Sequence, residues 1–299
     1  MPLKGGICVQ YRQTPQGILI EDAGEFDLAQ TLDCGQCFRW EPVGENAYQG
    51  IAMGRCLLVA RQEAGVLLKG CTWEEFNTLW RPYFDLDRDY ARIRRRLGRG
   101  DPIMRQACAY APGLRLLRQE PFEALCSFIL SQNNRIPRIK AIISRLCALL
   151  GEPLEPLESL PNTPGAYAFP TPQRLAGASV EELSPLRCGY RAAYLLDAAQ
   201  QVAGGRLDLA KTAALPLEDA RRRLMEIKGV GNKVADCVLL YGMHRLDAFP
   251  MDVWIKRAMA HLYPGETAER FGPYAGIAQQ YLFHYSRMHP GIFTGAEPA

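Results

Sequence analysis

The sequence predicts an α+β protein with an antiparallel sheet at its N-terminus and helices after it. Two observations carry this. Short apolar runs punctuated by Gly, Pro and Asn crowd the chain before about Tyr83, and from about Asp101 onward apolar residues recur at helical spacing. Strands first and helices after is the order of an α+β protein. A third observation, the turn Gly229-Val230-Gly231 between two helical stretches, marks a helical hairpin in the second region.

The expected strands are 17–20, 37–40, 47–52, 56–60 and 65–69. A helical stretch runs from Thr72, a plausible N-cap, to about residue 83. Helices are expected over 122–130 and 136–150, then a proline-rich loop over 151–172. Further helices follow at 172–175, 180–183, 191–203, 217–225, 231–241, 253–262 and 274–285. This divides the chain into a sheet domain with flanking helices, 1–110, and a helical region, 111–299. The helical region splits into a lobe over about 121–175 and a hairpin-bearing lobe over about 176–299.

With 299 residues, 48% apolar and 22% charged, the chain can bury a sizeable core and has an ordinary globular balance. A net charge of +3 is too small for the whole-protein field to argue for nucleic acid. Arginine is uneven, with one cluster at Arg92, Arg94, Arg95, Arg96 and Arg99 and another at Arg221, Arg222 and Arg223, but such runs read first as solvated helix faces. Neither a signal-peptide pattern nor a membrane-length apolar run is present, so an intracellular protein is expected. Its ten cysteines are then expected to be reduced and mostly buried.

Two motifs point to chemistry their context does not support. Cys34-Gly35-Gln36-Cys37 has redox spacing, yet a strand pattern follows where a helix should begin, and no second such pair completes a zinc site. Gly229-Val230-Gly231 lacks the third glycine and the preceding strand of a dinucleotide fingerprint. The four histidines lack metal-ligand spacing.

The hairpin allows two readings, a plain helix–turn–helix corner with Lys233 snorkelling from a helix end, or a site for chemistry. Glycines let another backbone approach closely, and the free N–H groups opening the second helix suit a phosphate oxygen whatever the base sequence. Lys233 opens an otherwise apolar helix, and a neutral amine there is a candidate for Schiff-base chemistry. Asp252, after Pro250 and before 253–262, reads as an N-cap whose fixed carboxylate also stabilises positive charge developing on a sugar.

Hairpin, lysine and Pro-x-Asp together resemble the helix-hairpin-helix glycosylase superfamily of DNA base-excision enzymes, and within it the 8-oxoguanine DNA glycosylase/AP lyase family. The supporting stretches run in order along nearly the whole chain: Gly35-Gln36-Cys37-Phe38-Arg39-Trp40, Leu116 to Pro121, Ser131 to Ile139, Gly189-Tyr190-Arg191-Ala192, Gly231 to Cys237 and Gly272 to Gly276. The resemblance implies a two-lobed all-α glycosylase core after the sheet, and flipping of 8-oxoguanine out of duplex DNA. It implies that Lys233 and Asp252 are catalytic, and that the carbonyl of Gly35 reads the lesion's N7–H. Gln279 would read the Watson–Crick edge, with Cys237 and Phe283 against the base faces. Asn133, Arg138 and Arg191 would read the cytosine left behind, with Tyr190 as wedge. Gly229, Val230, Gly231 and Lys228 would hold phosphate, and the carbonyls of Met225, Ile227 and Val230 match a site for K+ or Na+. No zinc is implied, and no iron–sulfur cluster, since no cysteine follows Cys237. Lys228, Trp254 and Tyr241 depart from the family's common residues. A monomeric prokaryotic enzyme is expected. The alternatives are the same chemistry on a ring-opened or alkylated purine, or a non-catalytic damage-binding module.

Overall fold

The computed structural model describes residues 10–21, 23, 25–155 and 166–293. Six antiparallel strands form one sheet: β1 (Tyr11–Thr14), β2 (Gly17–Glu21), β3 (Trp40–Pro42), β4 (Ala47–Ala52), β5 (Arg55–Gln62) and β6 (Gly65–Lys69), in the order β1-β2-β6-β5-β4-β3. Hairpin spacing accounts for the run from β3 to β6. It does not account for β2, which pairs across the chain with β6, Ile18 opposite Leu68. β1 has no clear sequence signature, because its four residues, YRQT, carry little apolar signal. The expected strand over 37–40 begins only at Trp40, because the residues before it belong to a loop that leaves the sheet.

One face of the sheet covers a core rich in aromatics, with Phe26, Trp40, Phe76, Trp80, Tyr83 and Phe84. Each such side chain contributes about 1.5–3 kcal/mol by leaving water. Trp40 lies over Gly50, its partner in the β3–β4 register, where a Cβ would stand 2.2 Å from the indole. Its indole N–H donates to the Tyr83 hydroxyl at 2.9 Å.

The helical region has its own core around the helix Pro121–Ser131, whose residues Phe122 and Ala124 through Leu130 are all buried. Helices Ile136–Leu150, Arg191–Ala203 and Asn232–Cys237 pack about it. Short helices Leu28–Leu32, Pro102–Tyr110 and Leu209–Ala214 were not legible, each being too brief or too polar for a clear period. The arginine-rich stretch Tyr90–Leu97 is a helix with its arginines outward, and Arg94 pairs with Glu25 at 2.8 Å.

Three expected helices differ in form. The stretch from Thr72 is opened by a capping box with Glu75, then widens into a π turn at Phe76–Trp80. Pro82 follows and has no N–H to return to the turn before it. The expected helix 231–241 is α-helical only over Asn232–Cys237 and continues as a π turn, Val238–Gly242. The expected helix 180–183 is a turn leading into the 3₁₀ segment Ser184–Leu186: Ser179 and Glu182 do cap one another, but Pro185 stops extension. The proline-rich stretch 151–172 falls partly outside the described residues.

Candidate active site

Between the helix Leu217–Leu224 and the helix Asn232–Cys237 the chain turns through Met225 to Gly231. Gly229 has φ +77°, and a Cβ on it would lie 2.2 Å from the Tyr194 ring. Gly231 is different: its φ is −102° and nothing lies within 4 Å of where its Cβ would be. Gly229 thus serves the fold, and Gly231 leaves open space in front of the helix N-terminus. Asp197 pins the turn by accepting from the Lys228 N–H at 2.8 Å and from Gln201 at 2.8 Å. Arg221 crosses between the hairpin helices to Asp236 at 2.7 Å. Burial pushes that carboxyl up to about 6 against the pull of Arg221. Arg222 and Arg223 pair with Asp219 and Glu226, so this arginine cluster is a solvated, acid-matched helix face.

The two glycines give a first expected outcome. Gly229→Ala should overpack the turn and lower stability by about 1–3 kcal/mol, read as a fall in melting temperature. Gly231→Ala should melt close to the parent protein but bind duplex DNA more weakly, because its methyl group points into the open space. Equal destabilisation by both would refute this division of roles.

Lys233 stands in the first turn of the second helix, half-buried, with Nζ 5.4 Å from the Phe128 ring centroid. One turn on, Cys237 is buried, and burial pushes its thiol up to about 11, so it presents a neutral sulfur. Asp252 caps the helix Val253–Leu262, accepting from the Ile255 N–H at 2.8 Å. Burial raises its carboxyl above the ordinary range, opposed by that N–H and by the Lys233 charge.

Lys233, Cys237 and Asp252 line a cleft of about 1400 Å³ together with Gly35, Gln279, Phe283, Asn133 and Arg138. Gly35 reaches it from the loop between the helix Leu28–Leu32 and β3, the same connection that breaks hairpin order in the sheet. Its φ is +86°, and a Cβ would stand 3.4 Å from Phe283 and 3.5 Å from Ile136. The loop is braced by buried amides. Gln36 donates to the carbonyls of Thr31 and Arg115, both at 2.8 Å, and accepts from the Leu117 N–H at 2.9 Å. Cys34 and Cys37 are free and buried, and burial pushes Cys34 up to about 11 and Cys37 well above the ordinary thiol range. Both thiols serve packing, although the residues after the pair form a loop and not the expected strand.

Gln279 is buried in the cleft wall and donates to the Pro250 carbonyl at 3.1 Å. Asn133, just past the central helix, has φ +48°. Arg138 is exposed. Tyr190 and Arg191 lie beside the cleft rather than in its lining. Tyr190 is 55% exposed under the Arg191 guanidinium, 4.5 Å from the ring centroid. Arg191 itself is buried, and its donors go to the carbonyls of Gln132, Asn133 and Cys188. Hydrogen bonds to a base edge would therefore replace some of these.

Several residues with a part in the site escaped sequence reasoning. Phe128 looked like one more apolar residue of a core helix. Gln280 and Asp197 carry no local signature, since their partners are distant in sequence. Among the described residues, no group of three or more His, Cys, Asp or Glu could hold a metal, and no helix is long and apolar enough to cross a membrane.

The sequence and fold match known proteins over most of the chain. Residues 18–125 match the family model for the 8-oxoguanine DNA glycosylase N-terminal domain, and residues 126–270 match that for HhH-GPD superfamily base excision DNA repair proteins. A probable N-glycosylase/DNA lyase of Methanothermobacter thermautotrophicus is 30% identical over 88% of this chain and 94% of its own length. The solved structure of MBOgg1 in complex with a low-affinity DNA ligand superimposes with a TM-score of 0.88 at 38% identity, covering 94% of this chain and 99% of that one. The Clostridium acetobutylicum 8-oxoguanine glycosylase/lyase, bound to double-stranded DNA with cytosine opposite 8-oxoguanine, gives 0.85 at 35% identity over 94% of this chain and 98% of that one. A glycine hairpin beside a lysine–aspartate cleft, on this architecture, defines a helix-hairpin-helix base-excision DNA repair protein. Within that class the chain belongs to the 8-oxoguanine DNA glycosylase/AP lyase family.

Proposed function

We infer that this protein excises 8-oxoguanine from duplex DNA and then cuts the strand as an AP lyase. The observation that carries the reading is the single cleft holding an amine, a carboxylate and the wall formed by Gly35, Cys237, Gln279 and Phe283. The relatives' names agree with it.

In this reading the hairpin N–H groups of Gly229 and Gly231, with Lys228, grip a phosphate while the Val230 N–H stays on the Ile227 carbonyl, and the lesion is flipped at a cost of a few kcal/mol. The Gly35 carbonyl accepts the N7–H that 8-oxoguanine has and guanine lacks. Gln279 meets the Watson–Crick edge, and Cys237 and Phe283 hold the base faces. Asn133, Arg138 and Arg191 engage the unpaired cytosine, with Tyr190 filling the gap. The Lys233 nitrogen forms a bond to C1′ as the bond to the base breaks, and the departing base leaves with the electron pair. Asp252 stabilises the cationic sugar. Opening of the sugar ring gives a Schiff base, removal of a C2′ proton expels the 3′ phosphate, and water releases the lysine. A monovalent cation, K+ or Na+, suits the carbonyls of Met225, Ile227 and Val230: that of Ile227 accepts one N–H, from Val230 at 3.1 Å, and keeps a second lone pair. The protein acts as a monomer on this reading, with no other cofactor.

Borohydride should trap the protein on an oligonucleotide duplex with 8-oxoguanine opposite cytosine. Each arginine or asparagine contact to a base edge discriminates by about 1–3 kcal/mol, so adenine opposite the lesion should slow excision at least tenfold. Equal rates opposite cytosine and adenine would refute the opposite-base roles. Faster release of 3-methyladenine than of 8-oxoguanine would refute the substrate.

A further inference from the structure

Tyr241 stands where two arms of the cleft wall meet. It lies in the π turn after the Lys233 helix, and its ring stacks on Phe128 with centroids 5.2 Å apart and planes at 19°. Its hydroxyl is 2.5 Å from Gln280 Oε1 and 3.3 Å from Gln279 Oε1. A phenol has one proton to give. The shorter contact takes it, so Tyr241 donates to Gln280.

That donation orients the Gln280 amide. With Oε1 held by the phenol, Nε2 faces the Cys34 carbonyl and donates to it at 3.3 Å. The reverse orientation would set two oxygens against each other at Cys34. Gln280 is fully buried, so neither arrangement could borrow water cheaply. The Cys34 carbonyl belongs to the peptide plane entering Gly35, directly before the plane that carries the Gly35 carbonyl, so this bond anchors the chain where it turns through φ +86° into the cleft. On the other side, Gln279 spends its Nε2 on Pro250 and receives no phenolic proton. Its Oε1 stays available to the N–H donors of a purine edge. Burial holds the Tyr241 hydroxyl in its protonated form well above the ordinary range, so the donor persists across working pH.

We propose that Tyr241 is a specificity-determining positioning residue, which through Gln280 aims the Gly35 peptide at the flipped base and leaves the Gln279 oxygen free to read it. This rests on the 8-oxoguanine reading above.

The test uses duplexes carrying 2′-fluoro-8-oxoguanosine or 2′-fluoroguanosine opposite cytosine, in which the fluorine suppresses base release so that binding alone is read. The full chain is compared with Tyr241→Phe, Gln280→Met and the double variant; Tyr241→Phe keeps the ring stacked on Phe128. Tyr241→Phe should lower the ratio of lesion to guanine affinity about threefold to tenfold, as one neutral hydrogen bond is worth. Gln280→Met should do the same, and the double variant should fall no further than either, because one chain of contacts is broken once. An unchanged ratio in Tyr241→Phe, including equal weakening on both duplexes, overturns the proposal. So does additive loss in the double variant. If the unaltered protein itself shows no preference for the lesion, it is the 8-oxoguanine reading that fails.

Discussion

Lys233→Gln should yield no borohydride-trapped adduct and no strand cutting, with base release slowed by at least about a thousandfold. A carboxamide nitrogen has its lone pair delocalised and cannot form an imine. The substitution keeps a polar side chain of similar reach at a half-buried position, so the fold should survive. The contact of Nζ with the Phe128 face is lost, at a cost of about 0.5–1 kcal/mol. Binding to a lesion-containing duplex should persist, which separates loss of chemistry from loss of recognition. Lys228, the nearest amine in sequence, cannot substitute, because it lies on the exposed side of the hairpin and outside the cleft lining. A variant that still traps and cuts would show that the nucleophile is another group.

Asp252→Asn should cost about a hundredfold to a thousandfold in base release while leaving the melting temperature near that of the parent, since removal of one positioned electrostatic group has that scale. The two roles of Asp252 separate cleanly here. Asparagine caps a helix as well as aspartate does, so the bond from the Ile255 N–H survives and only the charge goes. Asp252→Ala loses both, and should in addition lose about 0.5–2 kcal/mol of stability, read as a lower melting temperature. The pH dependence follows in sign. Ionised Asp252 is the working form, and burial raises its carboxyl above the ordinary range. Activity of the parent protein should therefore fall with decreasing pH earlier than an exposed aspartate, titrating near 3.9, would allow. The Asn variant should lack that acid limb. Full activity in Asp252→Asn would reduce the residue to a cap.

The parts of the site legible in the sequence are those with local causes. The helices Ile136–Leu150 and Val253–Leu262 begin and end where their apolar period and flanking residues place them. Asp252 caps because it directly precedes such a period, and Gly229 turns because its backbone takes φ +77°, which glycine adopts freely. One departure has a local cause as well. Pro185 ends a turn that its capping pair begins, and the π turn at Val238–Gly242 breaks what read as one helix. The Cys34–Cys37 pair shows the limit of motif spacing, since two thiols with redox separation are both buried.

By itself the sequence determined the order of strands and helices, the hairpin, and the placing of Lys233 and Asp252 at two helix starts. Backbone preference and side-chain period act over a few residues, so each leaves a readable trace. Only the tertiary structure decided that the Gly35 loop leaves the sheet to enter a helical cleft, and that Tyr241 and Gln280 hold it there. The Gln280 bond to Cys34 joins residues 246 apart, and a contact at that distance imposes no period or spacing on the chain between them.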